Sequence, residues 1–390
     1  MTAPAIDERR AVDNLLSLLA VEGLSGRETR VAEKVANLLV EAGCRPEWIA
    51  HDSAHRKAGA GFECGNLIVR LPGKRGLPRV MFSGHMDTVP LCRGAEPVRR
   101  GGRIESKGET GLGADNRTAV AAIVTAAQHL LGHGIPRRPL TLLFTVAEEV
   151  GLCGARYVTK KDLGHPSMGF NLDGGDPAKL IVGAIGATRW TAEIRGRSSH
   201  AGVHPEQGIS AGLIASRAVA DLAERGWFGA IGKSGGRGTA NVGKMNGGMA
   251  NNQVMDHMTV TGECRSHSRK FLARITSAWR TAFERAAVSV RNHEGQCGSV
   301  SFEFEDDYEA FRLNKSAPVV REAQRAADAT GLTPETVIMD GGLDASFFNQ
   351  RGIPTVTLGA GAHAIHTTDE YADLDEYLAG CRLLMELARA

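Results

Sequence analysis

Apolar positions along this chain change their spacing twice, and the changes divide it into three stretches. Near the start, "DERRAVDNLLSLLAVEGLSG" carries an apolar stripe at helical spacing and stops at Gly23 to Gly26. "ETRVAEKVANLLVEAG" repeats the pattern and is closed by Gly43, so two amphipathic helices are expected. "NLIVRL" and "RVMFSGHMD" then read as strands. "RTAVAAIVTAAQHLLGHG" is apolar on nearly every face, which predicts a buried helix. "PLTLLFTVAEE" is a short apolar run behind Pro139 and fits an interior strand, and "SMGFNLDGG" reads as a strand that ends in an acid. Strands alternating with helices predict an α/β fold, a mixed sheet with helices on both faces.

From about Ala187 the spacing shortens to two. "TRWTAEIRG" alternates like a strand with one wet face, and "GISAGLIASRAVADLAERG" is helical. "TANVGKMNGG" and "HMTVTGECRS" are strand-like, "RKFLARITSAWRTAFERAAVSV" is helical, and "SVSFEFEDD" alternates again. The order β-α-β-β-α-β is that of a ferredoxin-like α+β domain. The α/β pattern resumes with "APVVREAQRAADATG", "ETVIMD" and "IPTVTLG". The expected organisation is a discontinuous α/β domain, 1–186 with 307–390, interrupted by an inserted domain over 187–306.

Composition narrows the class. A chain of 390 residues is long for one core and agrees with two domains. Its net charge of +2, from 46 basic and 44 acidic residues, gives no reason to expect a nucleic-acid or membrane partner. The 48 glycines suit an α/β enzyme with many tight turns. Seven scattered cysteines with no CxxC pair argue against a disulfide framework and for a reducing cytoplasm. "MTAPAIDERRAVDNLL" is charged where a signal peptide needs an apolar run, and no stretch reaches membrane-span length.

Candidate chemistry collects at predicted strand ends, where ligands bind in open α/β sheets. "MFSGHMD" supplies His85 and Asp87, "GLGADN" supplies Asp115, and "FTVAEE" supplies Glu148 and Glu149. "FNLDGG" supplies Asp173, and "GAGAHAIHTTDEY" supplies His363 and His366. Carboxylates and imidazoles without a thiolate suit Zn²⁺, with Mn²⁺ or Co²⁺ as substitutes. So many acids cannot all stay ionised side by side without a cation. Two metals about 3.5–4 Å apart, sharing a carboxylate, would neutralise them and activate a water. Consecutive side chains of an extended segment diverge, so Glu149 can bind metal while Glu148 acts as general base. Asp87, two residues after His85, fits the role of holding the other imidazole nitrogen. His363 is read as a loop residue without a role.

"GHMDTVP", "GLGADN", "AEEVGLCGA", "LDGG" and "GAHAIHT" resemble the motifs of the co-catalytic zinc peptidase family that includes peptidase T, glutamate carboxypeptidase and aminoacylases. The similarity spans nearly the whole chain and is greatest toward peptidase T and its relatives. It implies a zinc-binding α/β domain with an inserted ferredoxin-like lid. It implies two zinc ions per chain, with His85 and Asp173 on one, Glu149 and His366 on the other, and Asp115 bridging. Glu148 matches the catalytic base and Asp87 the residue behind the first histidine. In the lid, "GRSSHAGVHPEQGISA" matches the motif whose histidine, here His200, assists the tetrahedral intermediate. "GGMANNQVMDHMTVTGECR" matches the strand pair that supplies an asparagine and an arginine to substrate, here Asn252 and Arg265. The chain departs from the family pattern at Asn116, where a second Asp is common, at Arg117 and Thr118, and at Met255.

The expectation is therefore a two-zinc metallopeptidase that cuts short peptides from the amino end, with a homodimer through the lid as its possible assembly. An amidohydrolase of N-acyl amino acids, or a carboxypeptidase, would use the same site. A non-catalytic metal- or peptide-binding protein is the rival from another class, and it would have no use for Glu148.

Overall fold

The computed structural model describes residues 6–59 and 61–389. The first five residues of the stretch read for a signal peptide lie outside the described residues. The chain divides into two compact units. One holds the described residues up to Gly183, Arg312–Met339 and the described residues from Leu343; the other holds Ala184–Phe311 and Asp340–Gly342.

The first unit is built on a mixed nine-stranded sheet. Its centre runs in the order Leu140–Thr145, Val80–His85, Met168–Gly174, Thr355–Gly359, and these four strands are mutually parallel. Leu140–Thr145 and Val80–His85 are buried at every position, which is why their sequences run apolar instead of alternating. Helix Ala114–Gly132, apolar on nearly all sides, packs on Val80–His85 and is itself covered by helices Glu8–Leu19 and Leu374–Ala388. The approach is close at Gly84, where a Cβ would meet the Ala119 methyl at 2.9 Å. Parallel strands end on the same side, so the residues after His85, Thr145, Asp173 and Gly359 emerge along one edge of the sheet.

The second unit is an antiparallel sheet of five strands in the order Gly229–Lys233, Gly236–Gly247, His257–Ser266, Gly186–Arg195, Ser299–Tyr308. Alternation works as the sequence predicts: Thr188, Trp190, Ala192 and Ile194 are buried, while Arg189, Thr191 and Glu193 face away. Helices Ala211–Glu224 and Arg269–Ser289 cover the buried face, with the Trp190 and Trp279 rings 4.7 Å apart. The strand Gly229–Lys233 adds to the β-α-β-β-α-β pattern. Its sequence, "GAIGK", is glycine-rich and lacks the side-chain alternation that marks a strand. The unit reaches beyond the predicted 187–306 because strands Gly186–Arg195 and Ser299–Tyr308 pair over their whole length. Among the described residues, no helix is long and apolar enough to cross a membrane.

Candidate metal centre

Five of the predicted residues converge at the carboxyl edge of the first unit's sheet. His85 ends its strand with the ring buried, and its Nδ1–H donates to the Asp87 carbonyl at 3.0 Å. That contact turns Nε2 toward the carboxylates: Asp115 Oδ1 at 3.2 Å and Asp173 Oδ1 at 3.6 Å. The other oxygen of Asp115 lies 3.5 Å from Nε2 of His366, which in turn is 3.0 Å from Glu149 Oε1. Asp115 thus spans the two imidazoles, one oxygen to each. Donor atoms of His85, Asp115 and Glu149 lie within 4.8 Å of one another, a spacing that a metal ion can fill.

Local backbone puts them there. Gly113 is left-handed (φ 80°), and a Cβ on it would meet Thr88 Cγ2 at 2.9 Å, so the "GLGADN" turn needs glycine at this point. The Asp115–Asn116 peptide bond is cis. Ala147 and His366 also lie in the left-handed region, at φ 52° and 61°, a conformation that non-glycine residues hold only when their surroundings impose it. At Ala147 the constraint is visible, since its N–H donates to Glu28 Oε1 at 2.9 Å.

Asp87 is fully buried and joins three segments. Its Oδ1 accepts the Glu148 N–H at 3.0 Å and lies 3.4 Å from His85 Nδ1. Its Oδ2 accepts the Ser25 hydroxyl at 2.7 Å and the Glu149 N–H at 3.2 Å. Asn116, a departure from the expected motif, donates to the Leu172 carbonyl at 2.7 Å and to Asp173 Oδ1 at 3.3 Å. An aspartate could make neither bond while ionised. Arg117 is buried and donates to the carbonyls of Leu18, Val21 and Gly23.

The electrostatics are those of a site short of positive charge. Burial pushes Glu149 up to about 7 and drives Glu148 well above the carboxylate range, with Asp173 also raised. Burial would lower His85, but hydrogen bonding to Asp115, Asp173 and Asp87 outweighs it and holds the ring well above its usual value. Asp115, despite burial, is held low by His366 and His85. Its bond to Asp115 is the chief cause that raises His366 to about 9. The two imidazoles draw Asp115 down, while Glu148, Glu149 and Asp173 stay raised. Divalent cations on the Nε2 lone pairs would do the same task with more charge. The donor set therefore fits divalent metal.

Three further acids escaped the sequence reading. Glu370 accepts the N–H groups of Leu112 and Gly113, both at 2.8 Å, and of Asp115 at 2.9 Å, so it fixes the loop that presents Asp115. Asp344 opens helix Asp344–Gln350 and accepts the Thr145 hydroxyl at 2.6 Å; burial lifts it to about 7. Its signal was present: "GGLDAS", like "GLGADN", is a glycine turn whose acid opens a buried helix. Glu28 gave no such signal. His363 packs on the Tyr371 ring and bonds Glu376 at 2.5 Å, which secures the loop leading to His366.

The other predicted residues belong to the second unit. His200 Nδ1 accepts the N–H groups of Gly202 and Val203, both at 3.2 Å, so the ring proton resides on Nε2. The segments of His200 and Asn252 lie side by side, with the Ala201 N–H donating to the Asn252 carbonyl at 2.9 Å. Arg265 is paired with Glu263 two residues earlier on the same strand.

Known proteins resemble this chain over most of its length. The model of peptidase family M20/M25/M40 matches residues 81–390. YqjE of Bacillus subtilis is 30% identical over 98% of both chains. An aminopeptidase PepT structure from Bacillus cereus superposes with a TM-score of 0.85 at 31% identity, covering 98% of each chain. A tripeptidase structure from Staphylococcus aureus gives 0.88 at 29% identity, covering 99% of each.

Proposed function

The chain belongs to peptidase family M20/M25/M40 and is a metal-dependent peptide hydrolase of the peptidase T kind, and from that premise we propose that it removes amino-terminal residues from short peptides with two zinc ions. The observation that carries the two-ion reading is the spanning of His85 and His366 by the two oxygens of Asp115. His85 and Asp173 would hold one ion, Glu149 and His366 the other, with Asp115 between them. Bound there, the ions would act as Lewis acids on the scissile carbonyl and lower the pKa of a nearby water.

The chain's own residues supply the rest. The Glu148 carboxylate takes a proton from the attacking water and returns it to the leaving amine nitrogen. A buried carboxylate that resists ionisation is a stronger base than one in solvent, and burial is the main cause of the shift at Glu148. Asp87 orients His85 and the Glu148–Glu149 backbone together. His200, with its Nδ1 accepting two backbone N–H groups, has Nε2–H to donate to a developing oxyanion. Asn252 and Arg265 would bind substrate, Arg265 through a carboxylate. The inserted unit would act as lid and dimer contact, and a reducing cytoplasm suits seven scattered cysteines with no CxxC pair.

The test is a stoichiometry and a substrate panel. Close to two zinc ions per chain, and faster turnover of tripeptides than of N-acyl amino acids, are expected. A preference for N-acyl amino acids, or full activity after chelation, overturns the proposal.

A further inference from the structure

Arg265 and Glu263 lie on strand His257–Ser266, two residues apart and therefore on one face. Between them Cys264 is buried in the core under the helices, so the pair stands on the opposite, polar face. The contact is two-pronged. Arg265 Nε donates to Glu263 Oε1 at 2.9 Å, and Nη2 donates to Oε2 at 3.0 Å. The exposed fraction of the arginine side chain is 30%, against 41% for the glutamate.

A guanidinium has two edges that can each grip a carboxylate: the side formed by Nε and one terminal nitrogen, and the end formed by both terminal nitrogens. Glu263 occupies the side edge only. The end edge, Nη1 with the second hydrogen of Nη2, is the one Glu263 leaves for a ligand. A lone arginine on an open sheet face would explore many rotamers and lose that freedom on binding. Here the loss is taken during folding, and the plane of the fork is set in advance.

We propose that Glu263 is a positioning residue for substrate recognition: it locks the side edge of Arg265 so that the end edge is presented, in a fixed plane, to the terminal carboxylate of a short peptide. This rests on the reading of Arg265 as the substrate clamp. The opposite role for Glu263, an internal competitor that must leave before substrate binds, would require Glu263 to take the end edge, and it takes the side edge. Asp307 favours the Arg265 cation by its charge, while its Oδ2 is held by Arg189 at 2.8 Å; the two-pronged bond to Arg265 comes from Glu263.

The measurement is the ratio of KM for a tripeptide amide to KM for the same tripeptide with a free carboxylate, taken on full-length metal-loaded enzyme. R265A should collapse this ratio. E263A should lower it roughly two- to tenfold, the ordering cost of one long side chain, by raising KM for the free acid. The isosteric E263Q, which keeps an oxygen for Nε, should fall between E263A and the parent, and it guards against a packing defect. A collapsed ratio in R265A with no change in E263A and E263Q overturns the positioning role alone. A rise in the ratio in E263A identifies Glu263 as a competitor and also overturns it. No change in R265A removes the clamp reading, and the proposal with it.

Discussion

Asp87 Oδ1 accepts the backbone N–H of Glu148 at 3.0 Å, while the same oxygen lies 3.4 Å from the Nδ1 of His85. One buried carboxylate thus ties the orientation of a predicted metal ligand to that of the predicted base. Its second oxygen adds Ser25 and the Glu149 N–H. The two oxygens of Asp87 accept three hydrogen bonds, so an amide in its place sets an N–H against one of these donors.

D87N should therefore reduce metal affinity and kcat/KM together, by roughly 10- to 100-fold, the usual worth of a group that orients a metal-binding histidine. Metal titration and steady-state kinetics on the same preparation would check it. Parental values for both would mean that the ring and the glutamate backbone are held by other contacts.

The adjacent glutamates should separate cleanly. E148Q is expected to retain both metals and lose roughly two to four orders of magnitude in kcat. E149Q should lose occupancy of one ion, because its Oε1 faces His366. Elemental analysis beside activity distinguishes them, and metal loss in an active E148Q would reverse the assignment.

His200 offers a test independent of metal. H200A should depress kcat with metal content unchanged, since the ring's role is confined to developing negative charge. Mixing H200A with E148Q subunits asks whether the histidine serves its own chain. Recovered activity would assign it to a partner subunit in a dimer; an H200A enzyme with parental kcat would remove the lid histidine from the mechanism.

Glu28 predicts a pH signature in stability. Burial, aided by Asp87, raises its carboxyl from 4.5 to about 7. The folded state then keeps a proton that the unfolded chain gives up above 4.5. Stability is consequently lost as pH rises from about 4.5 to about 7, and the loss is constant beyond. E28Q keeps an oxygen for the Gly26 and Ala147 N–H groups without the ionisation. Across that window the variant should gain on the parent by on the order of 3 kcal/mol. Thermal unfolding at pH 4.5 and pH 8 measures the difference, and parallel curves would show that Glu28 ionises normally.

Apolar spacing alone marks the strands and helices in which it is strong, such as "LTLLFT" and "RTAVAAIVTAAQHLL". Burial on both sides leaves a mark that single-chain periodicity can read. The sequence also determined which acids and histidines were candidates, because parallel strands deliver their ends to one edge and the residue types there limit the chemistry. Tertiary structure alone decided the support around them. Glu370 is 255 residues from the Asp115 N–H it fixes, Asp344 is 199 from the Thr145 hydroxyl, and Glu28 is 119 from Ala147. No local period encodes such pairs, since each depends on two loops meeting after the sheet has formed. The edge strand "GAIGK" was hidden for a related reason: its pairing with Gly236–Gly247 comes from backbone hydrogen bonds, which carry no side-chain signature. The division of labour between His85, Asp115 and His366 follows the same logic. Their residue types are local facts, but which oxygen faces which nitrogen is fixed only when the turns after separate strands close around one buried volume.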